Sequence, residues 1–184
     1  MYNDSQREQL LKLAYHAIQY GLENGEPLSV NPIEFEESLK QQRACFVTLH
    51  LDGQLRGCIG SLEAYRPLIE DIAHNAFAAA FRDPRFSPLS QPEFDKISID
   101  LSILTPATDM KFTSEANLLQ QIRPGIDGLI IEDQSRRGTF LPSVWEQLPD
   151  KEQFLQHLKL KAGLPAQHWS STLQISRYQT ESFG

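Results

Sequence analysis

Leu10, Leu11, Ala14, Ala17 and Ile18 recur at the three-and-four spacing of a helix with one buried face. Ser5 and Glu8, three residues apart just upstream, predict its start as a capping box. A shorter second helix is predicted over "NPIEFEESLKQQ", with Asn31 as cap, Pro32 at the first helical position and Glu34 where the box expects an acid. The pattern then changes to two β-rich runs, "ACFVTLHL" and "QLRGCIG", around Asp52-Gly53, a turn dipeptide that accepts positive φ at both central residues and so predicts a hairpin. With a two-residue loop, Leu51 faces Gln54, Val47 faces Cys58 and Cys45 faces Gly60. Both cysteines then lie diagonally on one sheet face, and His50 points to the other. Diagonal neighbours sit about 7 Å apart, at the limit of what a disulfide spans, so a Cys45–Cys58 bridge is disfavoured. Val47 and Leu49 are apolar on one face and Phe46, Leu55 and Ile59 on the other, so the hairpin is expected to be covered on both sides.

Farther along, "RPLIEDIAHNAFAAAFRDPRF" predicts a helix with Pro67 at its first position, Glu70 and Asp71 in its first turn, and an end before Pro84. Leu68, Ile72, Ala76, Ala79 and Ala80 form a face of mostly small residues suited to close sheet contact. "KISIDLSIL" alternates Ile97, Ile99, Leu101 and Ile103 with polar residues, as a half-exposed antiparallel strand does. "GLIIED" and "RRGTFLP" predict a second hairpin around Gln134-Ser135. A helix comes next in "KEQFLQHLKLKAG", capped by Asp150 and closed by Gly163, and "TLQISRYQT" is a last strand. Helices placed between antiparallel pairs, with no βαβ train and no repeat, imply an α+β fold: an antiparallel β-sheet flanked by helices.

Composition narrows the picture. The chain has 184 residues, 40% hydrophobic and 22% charged, which suits one globular domain with a full core and excludes disordered and fibrous classes. The formal charge of −7 argues against non-specific nucleic-acid binding through counterion release. The first ten residues lack a secretory pattern and no apolar run is long enough to span a bilayer, so a cytoplasmic protein with no membrane association is expected. Cys45 and Cys58 are the only cysteines and no metal-ligating spacing occurs, so free thiols and neither metal nor cofactor are expected.

The chemistry concentrates in "LRGCIGS". Cys58 lies between Gly57 and Gly60 and just after Arg56, where glycine amides, Ser61 and a guanidinium could bind an anionic group and stabilise a thiolate, making Cys58 a candidate nucleophile or redox thiol. The alternative is a small packed residue, which is the reading given to Cys45. Arg82, Asp83 and Arg85 in "FRDPRF" offer a guanidinium clamp for a small anionic ligand, or else a structural Asp-Arg lock. His74 is the nearest candidate base, equally consistent with a solvated histidine.

These motifs carry a resemblance along nearly the whole chain. "FVTLHLDGQLRGCIGS", "AFAAAFRDPRFSPL", "IDLSILTP", "GIDGLIIEDQSRRGTFLPSVW", "FLQHLKLKAGLP" and "ISRYQT" resemble the AMMECR domain family, also called AmmeMemoRadiSam system protein A. The resemblance implies an α+β fold with a smaller lobe of about residues 111–170 beside a main lobe of about 1–110 with 171–184. It also implies a pathway shared with Memo-type and radical SAM proteins, without naming the reaction. Asp127 stands where members of that family often carry histidine, so it receives no proton-transfer role. Two readings compete: a cysteine-dependent enzyme acting through LRGCIG, or a binding and assembly module for those partners. Nucleotide or RNA binding is a third, weakened by the acidic balance.

Overall fold

The computed structural model describes residues Met1–Gly184. In chain order the elements are α1 (Asp4–Asn24), β1 (Cys45–Leu51), β2 (Gln54–Gly60), α2 (Leu68–Phe81), α3 (Gln91–Phe94), β3 (Ile97–Leu104), β4 (Thr108–Asp109), α4 (Glu115–Gln121), β5 (Gly128–Asp133), β6 (Arg136–Phe140), α5 (Lys151–Lys161), β7 (Gln174–Tyr178) and β8 (Thr180–Phe183). They divide into two compact units, Met1–Leu104 with Glu181–Gly184, and Thr105–Thr180.

The first unit holds a four-stranded sheet in the order β2-β1-β3-β8, with β1 antiparallel to both β2 and β3. Its core joins Leu10, Ala14, Ala17 and Ile18 of α1, Leu68, Ile69, Ile72 and Ala76 of α2, and Cys45, Val47 and Leu49 of β1. The predicted apolar positions of α1 are all in this core or packed against it. The cap is two residues earlier than expected: Asn3 accepts the Gln6 amide and Gln6 returns the bond to Asn3, the same box spacing as Ser5–Glu8. Asn31 caps as expected, yet the chain beyond it forms two 3-10 turns, Pro32–Glu34 and Glu37–Leu39, instead of one helix. Helix α2 begins at Leu68, with Pro67 as its cap, and only Glu70, His74 and Phe81 of its residues escape burial.

The hairpin turn forms as predicted, with Asp52 at φ 51° and Gly53 at φ 76°. The register does not hold. Leu51 pairs with Gln54 and His50 with Leu55, but beyond them lies a bulge, so that Leu49 pairs with Gly57 and Thr48 with Cys58. One extra residue in a strand of period two moves everything beyond it to the opposite face. Cys58 therefore shares a face with Thr48 and His50, away from Cys45, and the expected placement of both cysteines on one face is corrected. The expectation of cover on both faces also fails along β1, where Cys45, Val47 and Leu49 are buried and Phe46, Thr48 and His50 only half-buried.

The second unit has its own four-stranded sheet, β4-β7-β5-β6, and its own core, in which Leu129 and Ile131 of β5 meet Phe154, Leu155 and Leu158 of α5. Trp145 stacks on Phe154 with centroids 3.6 Å apart. The predicted second hairpin is present, β5 pairing antiparallel with β6 across Gln134 and Ser135. Asp150 caps α5 and Gly163, at φ 77°, lies just past its end. Helices α3 and α4 and the two-residue β4 have no counterpart among the predicted elements, and "TLQISRYQT" supplies β7 and only the first residue of β8, a separate strand.

Candidate functional site

Strand β2 carries the LRGCIG segment, and Arg56, Gly57, Cys58 and Gly60 each have a traceable constraint. A side chain at Gly57 would collide with the Ala79 carbonyl of α2, so the strand approaches the helix as closely as a bare backbone allows. A side chain at Gly60 would collide with the Phe46 ring and the Cys45 carbonyl. Arg56 is 7% exposed. Its Nε donates to Glu93 at 2.8 Å, and its Nη2 donates to the Ser87 carbonyl at 2.9 Å and to Glu93 at 3.2 Å. Its Nη1 is buried with no hydrogen-bond partner, and the guanidinium lies 5.7 Å from the centre of the Phe86 ring. The Arg56 guanidinium, with help from the Ser90 amide and hydroxyl, holds the Glu93 carboxyl down to about 2. The charge expected to stabilise a thiolate is thus already engaged by a carboxylate.

Cys58 is half-exposed. The Thr48 hydroxyl donates to its Sγ at 3.4 Å, its N–H donates to Asp83 at 2.9 Å, and its carbonyl accepts from Arg85 Nη2 at 3.3 Å. Asp83 is buried and also accepts from the Arg85 backbone at 3.1 Å and from its guanidinium at 3.0 and 2.7 Å. These donors, the guanidinium foremost and against the opposing effect of burial, hold the Asp83 carboxyl well below the ordinary carboxylate range. Asp83 and Arg85 are therefore brought to Cys58. Arg82 is not part of this set: its guanidinium lies 5.0 Å from the Phe77 ring centre.

Ser61 belongs to a different cluster. Its hydroxyl donates to Asp71 at 2.8 Å, and Asp71 also accepts the Cys45 N–H at 2.9 Å and Asn75 Nδ2 at 3.0 Å. Arg66 Nε is 3.3 Å from Asp71. Burial, and after it the Asp71 charge, pushes the Cys45 thiol well above its usual range. Cys45 is thereby kept protonated. His74 is half-buried, 3.4 Å from Asn75. His50 pairs with Asp100 at 3.0 Å on the face that carries Cys58.

Thr48, Glu93, Asp71, Asn75 and the His50–Asp100 pair do not emerge from sequence as site residues. Glu93 has a signal, since Ser90 and Glu93 stand at capping-box spacing and do form that box. Thr48 has none, because its contact with Cys58 depends on the bulge. Asp127, to which no chemistry is assigned, is fully buried and paired with Arg123 at 2.6 Å.

Two four-stranded sheets with flanking helices, and a cysteine-bearing hairpin tied by buried carboxylates, define an α+β protein with one buried and one half-exposed cysteine. The chain belongs to the AMMECR1 family, whose model matches residues 11–183. It is 42% identical over 153 residues to protein MJ0810 of Methanocaldococcus jannaschii, covering 81% of this chain and 76% of that one. A protein of Methanothermobacter thermautotrophicus is 38% identical over 176 residues, covering 95% and 91%. The crystal structure of protein PH0010 from Pyrococcus horikoshii superimposes with a TM-score of 0.83 at 32% identity, covering 98% of this chain and 91% of that one.

Proposed function

We propose that this chain is a cysteine-dependent enzyme with Cys58 as nucleophile or redox thiol, acting in a pathway with Memo-type and radical SAM proteins. The observation that carries the reading is the contrast between the two thiols. Cys45 is fully buried with its proton held on, whereas Cys58 is half-exposed, with a hydroxyl donor on its sulfur and its backbone pinned on both sides by Asp83 and Arg85. A thiol reacts as its thiolate, and of the two cysteines the half-exposed one with a polar partner at its sulfur is the candidate. Arg85 is paired with Asp83 through Nε and Nη2 yet keeps 53% of its side chain exposed, and it is the solvent-facing guanidinium beside Cys58 that would meet an anionic group on the substrate.

A second reading, a binding and assembly module for the same partners, is favoured by the packing of the motif. Gly57, Gly60, Arg56 and Ser61 all have contacts that account for them without a ligand. Native-state labelling with iodoacetamide and peptide mapping separates the two. The enzyme reading expects Cys58 to be alkylated well before Cys45, and more slowly in Arg85→Ala. Equal inertness of both cysteines until the protein is unfolded leaves the assembly reading in place.

A further inference from the structure

A groove of about 460 Å³ opens in the second unit between residues 109–113 and 169–175. Phe112 and Trp169 line it, their rings 5.5 Å apart and tilted by 58°. Buried Met110 and Leu173 contribute apolar surface, and exposed Lys111 and Gln174 contribute polar surface. Of the two charged lining residues, Asp109 accepts a hydrogen bond from Ser176 at 2.8 Å, whereas Lys111 makes no ion pair. The Lys159 ammonium, paired with Glu115 at 2.9 Å, stands 5.5 Å from the Trp169 ring centre.

The segment bearing Trp169 is fixed before any ligand arrives. The carboxylate of Asp133, at the buried end of β5, accepts from Thr172 Oγ1 at 2.6 Å and Ser170 Oγ at 2.7 Å, and pairs with His168 Nε2 at 2.5 Å. Those three side chains straddle Trp169, so the chain on either side of it is anchored and less ordering of the segment is needed on binding.

We propose that this groove binds a small planar aromatic carboxylate, its ring against Trp169 and Phe112 and its carboxylate on Lys111. The packed Phe112 and Trp169 rings present one continuous aromatic surface to a flat ring, and aromatic contacts gain beyond simple area burial. The unpaired ammonium selects an anion, and the volume is that of a small-molecule site. This site uses no residue of the Cys58 cluster and stands independently of the proposed thiol chemistry.

The test is isothermal calorimetry of the full chain with indole-3-acetate, and with indole-3-acetamide as its neutral counterpart. Saturable one-to-one binding of the acid is expected, with the amide about tenfold weaker, the loss of one charge-assisted contact. Lys111→Gln should weaken the acid about tenfold and leave the amide unchanged, whereas Trp169→Ala should weaken both about tenfold. Both positions are exposed, and an unaltered melting temperature establishes that the variants are folded. Cys58→Ala should bind as the parent does. Absence of saturable heat, equal affinity for acid and amide, or unchanged binding by Trp169→Ala overturns the proposal.

Discussion

Asp83 accepts four hydrogen bonds, one from the Cys58 amide and three from Arg85, and is the residue through which the end of α2 and strand β2 hold each other. Asp83→Asn keeps the shape and removes the charge, so the fold should lose about 2 kcal/mol, read as a lower urea midpoint at unchanged slope. Asp83 and Glu93 both have depressed folded pKa values. Each then binds fewer protons folded than unfolded, so its contribution is fully present above the ordinary carboxylate range near pH ~4 and is lost as pH falls. For Glu93 the loss runs down to about 2. Urea midpoints measured from about pH 7 to about pH 3 should drop at the acid end, and drop less steeply in a doubly substituted Asp83→Asn, Glu93→Gln variant.

The β1–β2 hairpin separates what is local from what is not. Its turn is legible because Asp-Gly supplies the two positive φ values from within the dipeptide. Its bulge is not, because nothing in "QLRGCIG" says that Arg56 must reach Glu93, 37 residues away, or that Gly57 must meet Ala79. The candidate site inherits that gap: Cys58, Asp83 and Arg85 can be named from sequence, while Thr48 and the His50–Asp100 pair depend on the register. Helix α4 escapes for another reason, since its seven residues give too few turns for a periodicity to stand out. Two glycine substitutions test the hairpin. Gly53→Val meets open space but must adopt φ +76°, a cost of about 1–2 kcal/mol, whereas Gly57→Ala must displace the Ala79 carbonyl and should cost at least about 2 kcal/mol. Thermal melts that rank Gly53→Val as the more damaging would contradict the tight contact between β2 and α2.

At the scale of the whole molecule, the second unit runs unbroken from Thr105 to Thr180 and has a core of its own, so residues 105–180 expressed alone should fold. A cooperative melt with Trp145 in an apolar environment would show it; a non-cooperative melt would show that the segment needs the rest of the chain. Thr105 and Gln179 bond to each other twice, at 2.8 and 2.9 Å, which brings the two ends of the segment together. The first unit is completed only by β8, most of which comes after the entire second unit in the chain. On a ribosome, which delivers residues in order, the second unit is therefore fully synthesised while β3 still presents an unpaired edge. Slow elongation between 105 and 180 lengthens the time during which that edge can recruit a neighbouring nascent chain, so the duration of this exposure is set by translation speed over residues outside the strand at risk.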